Sequence, residues 1–171
     1  MGLVSDAHGL LDPKLAALFE GCDLLLNAGD TVKPAVLAAL DALAPARAVR
    51  GNNDLGPAFA ALPESALVMI GPLTALVVHD LGPPLRPLSP ARSLLELHRP
   101  EIVVHGHSHR PGAVVLDGRL FVNPGSAGPR RFSLPRTAAL LEARGRRVTV
   151  RFFDLAGDRA ALHGEPLEVA L

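Results

Sequence analysis

The sequence contains no tryptophan, no tyrosine, no glutamine and only one cysteine. A single thiol cannot close an internal disulfide, so the fold must rest on its core. Cys22, just before the apolar run Leu24-Leu25-Leu26, reads as a small buried hydrophobe. Lysine occurs only at positions 14 and 33, so the basic side chains are almost all arginine, and 17 basic residues balance 17 acidic ones. No dense Lys/Arg run is present, which argues against general nucleic-acid binding and leaves small anionic substrates open. No apolar run approaches the roughly 20 residues of a membrane helix, and no basic segment followed by a long apolar stretch opens the chain. The expectation is a cytoplasmic protein without membrane association. A Gly-x-Ser-x-Gly elbow and a P-loop signature are both missing, which removes those routes to ester and nucleotide hydrolysis.

What is present suffices for one domain over residues 1–171, since 49% of the 171 residues are hydrophobic. Gly2-Leu3-Val4 reads as the end of a short first strand. A helix follows, with Asp12 placed to cap it, Pro13 in its first turn, Leu15, Leu18 and Phe19 at helical spacing, and Gly21 to end it. The unit repeats: a strand over 23–27, a helix over 34–43 opened by Pro34, and a third strand over 46–50. Such alternation implies a parallel sheet. Beyond Pro63 the pattern predicts a hairpin of 66–70 and 74–79, a helix from Ser89-Pro90, a strand over 101–105, strands 113–116 and 119–122 around Asp117-Gly118, and a pair of 137–141 with 148–153. This half reads as mostly antiparallel, with an edge strand that could support a homodimer.

Metal-friendly residues stand at or just past the ends of separate predicted strands: Asp6 and His8, Asp30, Asn52, His79, then His107 and His109. Strand ends are where open α/β sheets build sites. Two carboxylates, four imidazoles and one amide oxygen are too many ligands for one ion and enough for two first-row divalent ions if one carboxylate bridges them. Such a pair would attract a phosphate ester and acidify a bridging water, the expected nucleophile. Mixed His/Asp/Asn ligation suits Mn²⁺ first, with Fe²⁺, Ni²⁺ and Zn²⁺ as alternatives, over the all-oxygen preference of Mg²⁺ or Ca²⁺.

In order, Asp6-Ala7-His8, Gly29-Asp30, Gly51-Asn52-Asn53-Asp54, His79 and Gly106-His107-Ser108-His109 resemble the calcineurin-like metallophosphoesterase superfamily. The length and Asn123-Pro124-Gly125-Ser126 resemble its small bacterial and archaeal phosphodiesterase branch. The resemblance covers roughly residues 3 to 130. It implies a four-layer α/β/β/α sandwich of two mixed sheets, and dinuclear phosphodiesterase activity on a small phosphoester. It also implies one metal on Asp6, His8, Asp30 and His109 and another on Asp30, Asn52, His79 and His107, with Asp30 as the bridge.

Three departures stand out. Larger members carry His where this chain has Asn53, which can hydrogen-bond phosphate but cannot serve as a general acid near pH 7. Good leaving groups are therefore expected to be favoured, with His8 the nearest group to assist departure and Asp54 placed to orient Asn52 or a ligand. Asp80 follows His79 where the family usually has Gly, and is expected either to hold a neighbouring ligand or to distort the loop. Family members often have more residues ahead of the first Asp, so the opening strand is expected to be short. Two other classes stay open: a nucleotide pyrophosphatase or phosphomonoesterase, and a non-catalytic scaffold of the same fold. His98, His163, Arg130 and Arg131 read as solvated or capping groups, although the arginine pair could reach a substrate phosphate. His105 is a candidate to support the neighbouring histidines.

Overall fold

The computed structural model describes residues 1–171. Strands β1 (Gly2–Val4), β2 (Leu25–Asn27) and β3 (Ala46–Ala48) lie parallel, with Leu3 opposite Leu26 and Leu26 opposite Arg47. The crossovers between them carry helices α1 (Lys14–Leu18) and α2 (Pro34–Leu43), as the alternation requires. Asp12 does fix the start of α1: its Oδ1 accepts the Lys14 amide at 3.0 Å. β1 ends at Val4 as expected, β2 starts two residues later than expected, and β3 leaves the ladder two residues early, after Ala48.

The second sheet begins with the hairpin β4 (Ser65–Ile70) and β5 (Leu73–Val78). Helix α3 (Ser89–His98) then crosses to β6 (Ile102–Val104), and β7 (Gly112–Leu116) and β8 (Arg119–Asn123) complete the order β4-β5-β6-β8-β7. The second half is mostly antiparallel, as expected, and the exception is β6, which pairs in parallel with both β5 and β8. The physical reason is the α3 crossover, which returns the chain in the direction of β5. The hairpin of β9 (Thr137–Arg144) and β10 (Arg147–Asp154) joins the first sheet, with β9 antiparallel to β1. Two short strands, β11 (Ala161–Leu162) and β12 (Leu167–Ala170), line the far edge of β10 and give the order β11-β10-β9-β1-β2-β3.

Alternation of side chains sorts the apolar residues into layers. Leu3 and Leu26 of the first sheet meet Ala75, Val77, Ile102, Val104 and Leu120 of the second in one cluster of 17 buried residues. The neighbours of these residues point outward: Val4 and Leu25 pack beneath Leu15, Val36 and Leu40 of the first two helices, and Leu76, Val78 and Val103 pack beneath Ala91 and Leu95 of α3. The result is the four-layer α/β/β/α sandwich of two mixed sheets. No helix is long and apolar enough to cross a membrane.

Candidate metal centre

The loops that leave β1, β2, β3, β5 and β6 converge, and five of the seven candidate ligands sit in left-handed backbone. Their φ angles are 54° for Asp6, 45° for His8, 55° for Asp30, 65° for His107 and 57° for His109. Asp and His tolerate this region better than most residues, yet each instance costs on the order of 1–3 kcal/mol and persists only where the surroundings hold it. The glycines beside them make the approach possible. A Cβ on Gly51 would overlap the backbone nitrogen and Oδ1 of Asp30, and one on Gly106 would overlap Ser5 Oγ.

The side chains meet at short range. His109 Nε2 lies 3.2 Å from Asp6 Oδ1, and His8 Nε2 lies 3.2 Å from His109 Nε2, 3.9 Å from Asp6 Oδ1 and 3.8 Å from Asp30 Oδ2. On the other side His79 Nε2 lies 3.5 Å from Asp30 Oδ2, and Asn52 Oδ1 is 3.0 Å from His79 Nε2 and 2.9 Å from His107 Nδ1. Ligand-competent atoms of Asp6, His8 and His109 fall within 4.8 Å of one another, as do those of Asp6, Asp30 and His79. Asp30 Oδ2 therefore faces a histidine on each side, the position a bridging carboxylate needs. All seven candidate ligands are brought together.

Buried polar groups from the strand ends fix these loops. Asn27 Oδ1 accepts the Gly29 amide and its Nδ2 donates to Thr31 Oγ1, which shapes the turn that carries Asp30. Asn123 Nδ2 donates to Gly106 O and Ser108 Oγ, each at 2.9 Å, and Oδ1 accepts the Gly125 amide, so one amide spans the His107–His109 loop and the loop after β8. Asp54, 3% exposed, accepts the Val32 amide at 2.7 Å and the Gly51 amide at 2.8 Å. It ties the Asp30 and Asn52 loops together and makes no direct bond to Asn52. Asn53 is engaged twice with Asp30, its backbone amide donating to Oδ1 at 2.7 Å and its side-chain amide to Oδ2 at 2.6 Å. Ser5 Oγ and the His107 amide donate to Asp6 Oδ2, whereas Asp6 Oδ1 is buried with no hydrogen-bond partner. The roles of Ser5 and Asn27 were not read from the sequence; the available signal was a polar residue placed at the end of an apolar strand.

The electrostatics favour ligand chemistry. Burial would raise the Asp30 carboxyl, but hydrogen bonds from His79 and Asn53 outweigh it and hold the group far below the ordinary carboxylate range. Burial lowers His8, the Arg131 guanidinium adds to that, and the carboxylates of Asp30 and Asp6 only partly oppose it. His8 is thus neutral at pH 7, the form that can ligate. Burial acts to lower His79 as well, but its contact with Asp30 prevails and raises it; its Nδ1 is 2.7 Å from Ala28 O, which leaves Nε2 facing the centre. Burial pushes His105 down to about 4, with Asn123 Nδ2 3.5 Å from its Nδ1, so it supports the loop as a neutral group.

An atom such as Asp6 Oδ1, buried and unpartnered among imidazole nitrogens, is costly unless a cation meets it. The donor set therefore fits divalent metal ions. Asp80 resolves in favour of a partner: its Oδ2 lies 3.8 Å from His107 Nε2. His98 is the last residue of α3, His163 lies 4.0 Å from Asp154, and Cys22 is half-buried against the first helical layer. Arg130 and Arg131 are exposed, as expected, although the charge of Arg131 is felt at His8.

Residues 1–146 match the model of the calcineurin-like phosphoesterase superfamily domain, and the chain belongs to that family. It is 31% identical over 165 residues to a probable metallophosphoesterase of Bacillus subtilis, YsnB, with 91% of each chain covered. Among solved structures it is similar to Vps29 of Chaetomium thermophilum, with a TM-score of 0.83 at 20% identity over 99% of this chain and 97% of that one. It is also similar to YfcE, a phosphoesterase from E. coli, with a TM-score of 0.70 at 21% identity over 99% of both chains.

Proposed function

We propose that this metallophosphoesterase-family chain is a dinuclear-metal-dependent phosphodiesterase. The observation that supports this most is the orphaned Asp6 Oδ1, with His8, His109 and the Asp30 carboxylate arranged around it. In this reading Asp6, His8, Asp30 and His109 hold one ion and Asp30, Asn52, His79 and His107 the other, with Mn²⁺ preferred and Fe²⁺, Ni²⁺ or Zn²⁺ as substitutes. When bound, the ions supply Lewis acidity toward phosphoryl oxygens and a water acidic enough to attack near neutral pH.

The chain's own residues then do the positioning. Asn53 and Asp54 keep the Asp30 and Asn52 loops in register, and Ser5 orients Asp6. Neutral His8 would be the nearest candidate to help the leaving group, while Asn53, tied to Asp30, cannot act as a general acid near pH 7. The chain therefore works best on esters whose alcohol leaves without full protonation, a small phosphoester of the cytoplasm.

The likeness to Vps29 keeps a second reading in play, a metal-binding scaffold of the same fold without turnover. Hydrolysis of bis(p-nitrophenyl) phosphate by metal-stripped protein, with and without Mn²⁺ and beside Asp30→Asn, separates the two. Metal-dependent turnover abolished by the substitution supports the enzyme, and no turnover with any divalent ion supports the scaffold.

A further inference from the structure

A cavity of about 740 Å³ opens beside the metal centre and shares Asn52 and His79 with it. That is the size of a small-molecule site. Its apolar lining comes from Leu55 and Ala60 of the segment after β3, Val78 at the end of β5, and Ala91 and Leu94 of α3. Leu55 is 77% exposed, a large apolar side chain that the fold leaves at the rim and not in the core.

The charged lining is lopsided. One guanidinium, Arg50, and three carboxylates, Asp54, Glu64 and Asp80, line the cavity, an excess of two negative charges. Arg50 is already paired, its Nη2 2.5 Å from Glu64 Oε1. Asp80 accepts the Gly82 amide with Oδ1 and keeps Oδ2 toward the centre, and Asp54 is held by two amides that leave its charge in place. The cavity thus offers apolar surface and hydrogen-bond acceptors but no free cation.

Resting on the phosphoesterase reading above, the geometry points to this cavity as the subsite for the organic group of the ester, and to a substrate whose organic group bears no second anionic charge. A group of nucleoside size fits, with its apolar face on Leu55, Ala60 and Leu94 and a hydroxyl or ammonium donating to Asp80. A second phosphate there would lose its hydration against carboxylates, with the one guanidinium, that of Arg50, already paired to Glu64.

Two chromogenic esters test this: thymidine 5′-(p-nitrophenyl phosphate) and the same compound carrying a 3′-phosphate. Metal-loaded protein is expected to favour the first by about tenfold in kcat/KM, as like charges within a Debye length imply. Glu64→Lys, at a side chain outside the metal centre, is expected to bring the two within about threefold. Equal or reversed preference in the unsubstituted protein, or a preference untouched by Glu64→Lys, overturns the inference. Amide shifts of Zn²⁺-loaded protein titrated with thymidine supply a readout independent of turnover. Shifts at Leu55, Gly56, Ala60 and Leu94 uphold the subsite, and silence there overturns it. If neither ester is cleaved with any divalent ion, the phosphoesterase reading fails, and the thymidine titration alone then decides the subsite.

Discussion

Gly51→Ala is the substitution whose consequence follows most directly from the geometry. The added methyl would overlap the backbone nitrogen and Oδ1 of Asp30 and stand 2.9 Å from its Cα. Backbone atoms cannot swing aside as a flexible side chain can, and the Asp30 loop is already held by Asn53, by Asn27 and by the Asp54 bridge. Overpacking of this kind costs about 1–3 kcal/mol. For a chain of this length each kcal/mol lowers Tm by about 2–4 °C, so a drop of about 2–12 °C is expected. Because Asp30 faces both halves of the centre, affinity for Mn²⁺ should fall by about 10- to 100-fold, the range seen when a ligand's support is disturbed. Gly112→Ala is the matched control: a Cβ there meets nothing within 4 Å and its φ is not positive, so Tm should move by less than about 2 °C. Scanning calorimetry and isothermal titration with Mn²⁺ measure both quantities. Equal effects of the two substitutions, or a Gly51→Ala protein with unaltered Tm and affinity, would refute the reasoning.

Other outcomes follow from the same contacts. Asn123→Ala removes the amide that spans Gly106 O, Ser108 Oγ and the Gly125 N–H, and thermal melts should report a loss of about 1–3 kcal/mol together with reduced metal-dependent turnover. At Asp12, burial pushes the carboxyl up, but hydrogen bonds from Lys14 and Arg136 outweigh it and leave the folded-state pKa below its unfolded value. The stability it contributes is therefore complete above about pH 4 and lost as pH falls through the folded-state pKa. Asp12→Asn should cost about 1.5–3 kcal/mol at pH 7 and flatten that acid limb, measured by urea unfolding from pH 7 to pH 2. Chelation should lower Tm, since an ion present at about 100 times its Kd stabilises the folded state by about 2.7 kcal/mol, and re-addition should restore it. A Tm indifferent to chelator would argue against resident ions.

The convergence of the candidate ligands was legible because each of Asp6, His8, Asp30, Asn52, His79, His107 and His109 lies where an apolar run stops, and polar residues there have no core to enter. The parallel pairing of β1, β2 and β3 was legible for a related reason, two strand-helix units in succession. The course of β6 was not, because a three-residue strand buried on both faces carries no alternation from which to read its partners. The docking of β9 on β1 joins residues 140 positions apart, as in the hydrogen bond between the Met1 amino group and Leu141 O, and local pattern carries no record of it. The strands β11 and β12 are too short and too exposed to announce themselves. The work of Asn27, Asn123 and Asp54 is tertiary: each bonds a loop that only the assembled sheets bring within reach.

Two ions sharing Asp30 is the arrangement on which the proposed chemistry depends. Diffraction from Mn²⁺-loaded crystals, recorded at the manganese absorption edge, tests it most directly. Two anomalous peaks are expected, one among Asp6, His8, Asp30 and His109 and one among Asp30, Asn52, His79 and His107. A single peak at full loading, or peaks away from Asp30, would contradict it.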